Sequence, residues 1–356
     1  MTQVWRAEPA GAGHQEAVEA AARLLKEGGR VAFPTETVYG LGADARSTEA
    51  VEGIFAAKGR PSDNPLIVHI ADRAQLGEIV AGVDELSARL MDAFWPGPLT
   101  LVLPVKPGAL SPRVTAGLAT VGVRMPDHPL ALALIRVAGC PVAAPSANRS
   151  GRPSPTRAEH VLDDLNGVIE GVLDGGPTGV GVESTVVEAA GGAVHVLRPG
   201  GVSAEALERF APVAGAGPDG EPGAPGGEDA LHAPKAPGMK YAHYAPRGRL
   251  AVVQGPSPEA VSSWIRQELA RAKAAGERTG VLACAEHAAR YDADAVIACG
   301  RLGDPGSAAR GLYDALRGFD EAGVTFILAE AVEESGIGAA VMNRLRKAAG
   351  GRVIRL

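Results

Sequence analysis

The feature that most constrains this chain is a segment unable to build a core. Between residues 211 and 238, 13 of 28 positions are glycine or proline, seven of the first and six of the second. Val213 and Leu231 are its only large apolar side chains, while Asp219, Glu221, Glu228 and Asp229 keep it hydrated. Such a composition buries too little apolar surface to offset the entropy of ordering it. The segment reads as a linker. It divides the 356 residues into a first domain at 1–208, a linker at 209–247 and a second domain at 248–356, each domain long enough to bury its own core.

Ahead of the linker, helix and strand patterns alternate irregularly. Residues 14–26 carry Val18, Ala21, Leu24 and Leu25 at helical spacing and stop at Gly28-Gly29. A second helix is expected from Ser47, as its N-cap, to about Lys58. Short strands are expected at 30–33, 65–70, 99–103, 121–124, 142–144, 172–174, 184–188 and 194–198. Many strands with few long helices between them indicate an α+β domain on a mixed, twisted sheet. Beyond the linker, apolar runs at 250–253, 280–283, 295–298 and 325–328 alternate with helical stretches, notably 258–274 and 307–319. That rhythm indicates an α/β, Rossmann-like, doubly wound parallel sheet. The turn Gln254-Gly255-Pro256 lacks the glycine fingerprint for a dinucleotide, so this half reads as an accessory domain without a catalytic kit.

Charge and motif content narrow the function. With 35 Lys plus Arg against 41 Asp plus Glu, the net charge of −6 argues against a surface that coats nucleic acid, but leaves room for a local cationic pocket. No run of 18 apolar residues is present, and residues 1–15 lack a basic-then-apolar secretory pattern. Cys140, Cys284 and Cys299 form no CxxC pair, and the eight histidines and three cysteines show no metal spacing. These features exclude a disulfide framework and a structural zinc site, and they fit a reducing, cytoplasmic setting. Walker-type GxxxxGK[ST], HExxH and GxSxG signatures are absent.

What stands out are polar, turn-rich segments at strand ends of the first domain. Residues 34–42 (PTETVYGLG) present hydroxyls and glycines directly after a strand. Residues 58–65 (KGRPSDNP) carry Lys58 and Arg60, and Pro61 biases Arg60 toward extended geometry. Both cations can then point one way as a fork beside Asn64, with arginine suited to bidentate phosphate contact and lysine acting as a movable charge. His69 follows on a strand. Arg124 lies in the apolar strand of residues 120–126, where a charge needs a protein or ligand carboxylate. Residues 145–156 are rich in hydroxyls and donors, and 181–187 pair with Leu197-Arg198-Pro199-Gly200 as strands that deliver hydroxyls and one arginine. Together, Lys58, Arg60, Arg124 and Arg198 sit at element ends of an acidic chain, which indicates a focused anion site without a covalent nucleophile.

PTETVYGLG, KGRP-SDNPL, PSANRSG, GVESTVV and LRPG, in this order over roughly residues 10–205, resemble the YrdC-type family of threonylcarbamoyl-AMP synthases. Residues 237–246 (PGMKYAHYAP) with a Rossmann-like C-terminal domain are similar to the longer two-domain form, although the Gly/Pro stretch before Lys235 is unusually long. The resemblance implies a YrdC-like catalytic domain that makes threonylcarbamoyl-AMP and pyrophosphate from L-threonine, bicarbonate and ATP, for N6-threonylcarbamoyladenosine in tRNA. It implies a threonine pocket of Thr37, His69, Arg124, Ala144 (through its backbone) and Ser184. It implies a nucleotide pocket of Arg60, Asn64, Thr120, Ser146, Ser154 and Arg198, with Lys58 beside the reacting phosphates and bicarbonate. Lys58 and Arg60 would be the catalytic cations, and Tyr244, or second Tyr241, would close over the nucleotide. Mg²⁺ is expected through the ATP phosphates rather than protein ligands. Expected partners are the tRNA threonylcarbamoyl-transfer machinery, which takes the product, and tRNA itself, bound weakly; no membrane is expected.

Three rivals make different demands. An O-carbamoyltransferase of hydrogenase maturation would need cysteine-rich zinc fingers, which three scattered cysteines cannot supply. A double-stranded RNA or tRNA-binding module without catalysis would need cations spread over an exposed face. A regulatory scaffold would be indifferent to changes at Lys58 or Arg60.

Overall fold

The short strands of the first half join into one sheet of eleven: β1 (Gln3–Arg6), β2 (Val31–Phe33), β3 (Gly40–Asp44), β4 (Ile67–His69), β5 (Leu99–Pro104), β6 (Thr120–Arg124), β7 (Val142–Ala143), β8 (Gly171–Asp174), β9 (Thr185–Ala190), β10 (Ala193–Arg198) and β11 (Val213–Ala214). The order is β1-β8-β2-β3-β7-β4-β6-β5-β9-β10-β11. Pairing is mixed: β4–β6 and β5–β9 run parallel, whereas β5–β6, β4–β7 and β9–β10 run antiparallel. The structure is a computed structural model, described here for residues 1–7, 13–215 and 244–356. It divides into two units, one of Met1–Ser150 with Ser154–Lys240 and the other of Gly151–Pro153 with Tyr241–Leu356.

In the first unit, strand alternation sends one set of side chains into a continuous core. Leu41, Val68, Leu99, Leu101, Val121, Val123, Val187, Val194 and Val196 are buried there with residues of the helices Thr48–Lys58, Glu85–Phe94 and Ala158–Leu165. Ser47 caps the first of these helices, accepting from the Ala50 N–H, and Gly59 at φ 59° ends it. On the opposite face of the sheet the described helices cover only part of its width. Helices His14–Lys26 and Pro129–Ala138 pack on it beside Val31, Phe33, Val142 and Leu173. Across β4, β6, β5, β9 and β10 that face carries Ile67, Val102, Val186 and half-buried Leu197, a cluster to which no described helix contributes.

Two details depart from the sequence reading. Residues 40–42, read as the end of a polar turn, open β3 instead, where Gly42 is required because a Cβ would lie 2.7 Å from Val142 and 2.8 Å from the Phe33 ring. Val213–Ala214, read as linker, pairs parallel with β10.

The second unit is a five-stranded parallel sheet: β12 (Arg249–Gln254), β13 (Thr279–Ala283), β14 (Ala295–Ala298), β15 (Phe326–Glu330) and β16 (Val353–Arg355), in the order β14-β13-β15-β12-β16. Helix Pro258–Ala274, capped by Ser257, packs Val261, Ile265 and Leu269 on one face. Helix Pro305–Glu321 covers the other, so closely that a Cβ on Gly280 would stand 2.8 Å from the Phe319 ring. Helix Gly338–Ala348 and β16 complete the doubly wound pattern. No helix among the described residues is long and apolar enough to cross a membrane.

Candidate active site

The half of the first sheet on which no described helix packs is where the polar segments meet. On β6, Val121 and Val123 enter the core, so Thr120, Gly122 and Arg124 present to the open face. On β4, Ile67 and His69 share that face, and His69 lies opposite Arg124 in the parallel register. Gly122 is its low point, since a Cβ there would come within 3.1 Å of Thr100 and 3.4 Å of Ile67.

Arg124 is the hub and is only 4% exposed. Its Nε donates to the Gly97 carbonyl (3.2 Å), Nη1 donates to Thr37 Oγ1 (2.9 Å), and Nη2 pairs with Glu36 at 2.6 Å. Glu36 is thus the carboxylate that the buried cation requires. The Thr35 hydroxyl donates to the Val38 carbonyl (2.7 Å). Thr37 therefore donates to Thr35 Oγ1 (2.8 Å) and accepts from Arg124. Backbone bonds tie this loop to the later segments: Gly181 N–H to Thr37 O (3.1 Å), Val180 N–H to Glu36 O (2.7 Å) and Tyr39 N–H to Pro155 O (2.8 Å).

A β-bulge delivers Arg198. The β9–β10 register runs Val196 to Val187 and then Arg198 to Val186, leaving Leu197 as the extra residue. Val194 and Val196 belong to the core. In unbroken alternation Arg198 would join them; paired with Val186 it takes the open face instead. Arg198 Nη2 donates to the Ser184 carbonyl (2.9 Å) and to Ser184 Oγ (3.1 Å). Ser184 Oγ also meets Thr100 Oγ1 at 2.8 Å, and the neighbouring Glu183 accepts from Ser154 Oγ at 2.6 Å.

Lys58, the last residue of its helix, is buried and donates to the carbonyls of Ser146 and Asn148. Burial, and then the Arg60 charge, hold its ammonium well below the ordinary lysine range. The expected fork does not form as a parallel pair. Arg60 turns back to the carbonyls of Asn64 (3.3 Å) and Pro65 (3.1 Å), closing its own loop. Asn64 is buried and its Oδ1 meets no hydrogen-bond partner; the same holds for Nδ1 of His69. Burial, with Arg124 adding to it, lowers the His69 pKa to about 3, so the ring is neutral at physiological pH. The Ala144 N–H is spent on Ile67 O (2.9 Å), so its carbonyl is the group it would offer.

The structure thus joins Thr37, Arg124, His69, Ser184, Arg198 and Ser154 around one face, with Lys58 and Ser146 bonded through the 146–150 loop. Thr120 stands at the far end of β6 from Arg124, roughly 13 Å away at 3.3 Å per residue. Tyr244 belongs to the second unit, stacked on Tyr313 (ring centroids 5.4 Å apart) with the Arg344 guanidinium 5.4 Å from its ring. Tyr241 lies outside the described residues. Glu36, Thr35, Glu183, Asn148 and Gly122 were missed. The first four lie inside or beside the quoted motifs, and Gly122 shows in sequence only as a glycine breaking a β-branched strand.

A mixed sheet with one face lined by buried cations and hydroxyls, followed by a doubly wound parallel unit, defines a two-domain protein with a cation-lined α+β site. The family model described as Telomere recombination (Sua5_yciO_yrdC) matches residues 23–200, and that of the threonylcarbamoyl-AMP synthase C-terminal domain matches residues 202–350. The chain is 57% identical to the threonylcarbamoyl-AMP synthase of Bacillus subtilis, over 94% of this chain and 93% of that one. It is 48% identical to that of Pyrococcus abyssi, over 95% and 96%. The crystal structure of P. abyssi Sua5 complexed with L-threonine is similar with a TM-score of 0.90 and 46% identity, covering 100% of both chains. The chain belongs to the threonylcarbamoyl-AMP synthase family, enzymes of the nucleotidyltransferase type.

Proposed function

We propose that the open face of the first unit converts L-threonine, bicarbonate and ATP into threonylcarbamoyl-AMP and pyrophosphate. The observation that carries this reading is the convergence of the buried cations Arg124 and Arg198, 4% and 5% exposed respectively, with a web of hydroxyls on one sheet face. The threonine amine, as its neutral form, attacks bicarbonate carbon and water leaves, giving a carbamate. A carbamate oxygen then attacks the α-phosphorus in line; the new P–O bond replaces the bond to the β-phosphate, and pyrophosphate departs.

Bicarbonate, carbamate and triphosphate repel one another, so fixed cations must cancel that repulsion before they meet. Arg124, Thr37, His69, Ser184 and the Ala144 carbonyl would hold threonine, its carboxylate on Arg124 and its amine on the carbonyl. Arg60, Asn64, Thr120, Ser146, Ser154 and Arg198 would hold the nucleotide, and Lys58 would face the reacting phosphates and bicarbonate. A neutral His69 suits a threonine pocket, since it can accept from the substrate hydroxyl at its unpartnered Nδ1. Mg²⁺ would enter as part of the MgATP substrate.

Tyr244 is the proposed nucleotide cover, and deleting residues 233–245 should nearly abolish turnover; normal activity after deletion removes that role. The product is a labile mixed anhydride, handed on in the cytoplasm to the enzymes that modify tRNA. Pyrophosphate release, followed with each substrate omitted in turn, tests the whole reading. Release requires all three substrates, and release indifferent to threonine refutes it.

A further inference from the structure

The second unit holds a cavity of about 380 Å³ at the C-terminal ends of its parallel strands, lined in part by Gly255, Ser257, Cys284, His287 and Glu330. Crevices at this edge are where doubly wound sheets bind ligands. The sequence showed no metal spacing, yet folding brings three donor side chains together there. Donor atoms of Cys284, His287 and Glu330 all lie within 4.8 Å of one another.

Local structure explains the convergence. Cys284 follows β13, and its carbonyl accepts from the N–H of His287 (3.0 Å), a turn that stacks residues i and i+3 on one side. Glu330 ends β15, the strand next to β13. Its carboxylate is oriented by the Cys284 N–H (3.0 Å) and by the Tyr291 hydroxyl, and both its oxygens lie 3.1 Å from His287 Nδ1. His287 and Glu330 side chains are 7% and 10% exposed, so neither is a solvated surface charge.

We propose that Cys284, His287 and Glu330 bind a divalent transition-metal ion of the zinc class, with its fourth position open to the cavity. Sulfur, imidazole and carboxylate together favour zinc or cobalt over magnesium or calcium, which take oxygen ligands alone. Tetrahedral zinc holds such donors roughly 3.3–3.6 Å apart, so the His287–Glu330 pair, now at 3.1 Å, would open slightly while the three donors, all within 4.8 Å, draw around the ion. Three protein ligands with one open position is the pattern of reactive rather than purely structural zinc sites. Tyr291 is a positioning residue that fixes the carboxylate from behind.

The test is titration of the full chain, stripped of metal, with Co²⁺ and Zn²⁺. One equivalent of Co²⁺ should bind with a thiolate-to-cobalt charge-transfer band and the visible bands of a tetrahedral ion, and Zn²⁺ should displace it. Cys284→Ser should erase the charge-transfer band, Glu330→Gln should weaken binding at least on the order of 100-fold, and Tyr291→Phe about tenfold. Cys299→Ser should leave the spectrum unchanged, because Cys299 Sγ faces the Ala308 carbonyl at 3.4 Å. Circular dichroism separates misfolded variants from metal-deficient ones. Absence of stoichiometric binding, or a band that survives Cys284→Ser, overturns the proposal.

Discussion

The two sheets of this molecule solve the same problem in opposite ways. In the second unit, helices cover both faces, and every strand runs parallel. Chemistry-bearing side chains can then emerge only where strands end, as Cys284 and Glu330 do beyond and at the ends of β13 and β15. In the first unit, among the described residues, no helix packs on one face across five strands, and alternation along the strands themselves supplies the site beneath loops: Thr120, Gly122 and Arg124 from β6, Ile67 and His69 from β4. A covered sheet offers an edge; an uncovered one offers a floor. A floor suits large, multiply charged reactants, because cations can be set along its whole length.

Lys58→Met breaks or sustains that contrast most sharply. It should slow threonine-dependent pyrophosphate release on the order of 10²–10³-fold, the effect of removing one preorganised charge, while threonine binding measured by calorimetry stays within a factor of a few. Cys284→Ser, at the edge of the other sheet, should leave that rate unchanged; equal losses in both variants would dissolve the distinction.

His69 yields the next largest effect, on stability. Its pKa is about 3 in the folded chain and about 6.5 when unfolded. The unfolded state therefore binds the extra proton between those values, and stability falls as pH drops through that window by up to ~1.4 kcal/mol per pH unit. Denaturant melts from pH 7 to pH 4 should show a flatter acid limb in His69→Asn than in the parent. An unchanged limb would mean that His69 is solvated rather than held on a dry floor.

Gly122→Val probes the floor directly. The branched side chain meets Thr100 and Ile67 and should raise the KM for ATP on the order of tenfold, equivalent to ~1.4 kcal/mol, with kcat changed less. Smallest are the two caps. Ser47→Ala and Ser257→Ala each remove one N-cap bond and should cost about 1 kcal/mol. Hydrogen exchange should report the loss in helix Thr48–Lys58 for the first and in Pro258–Ala274 for the second. A change confined to the wrong helix would show that the caps do not act locally.

Much of this architecture was legible because β-branched runs and glycine stops punctuate the chain. Helix Gly338–Ala348 was not, since buried Asn343 and Arg344 interrupt its apolar stripe; Arg344 reaches Asn343 Oδ1 (2.6 Å) and the Tyr244 ring instead. In the site, sequence marked Arg124 as a charge in need of a partner but could not choose Glu36, because that pairing depends on how the 34–39 loop folds over β6. The fork of Lys58 and Arg60 failed for a related reason. Nearby backbone carbonyls satisfy each cation separately.

The bulge in β10 carries a last implication. Because Leu197 is one residue too many for its partner strand, it acts as a frame-shift in three dimensions, moving a guanidinium from the greasy side of the layer to the one lined with hydroxyls. Pairing Leu197 regularly, with no residue bulged out, would leave the composition of the strand untouched, yet would turn Arg198 to the side of Val194 and Val196 and strip Ser184 of its donor. An enzyme of this kind can therefore be silenced by a change of register alone, with every charged group still present in the chain.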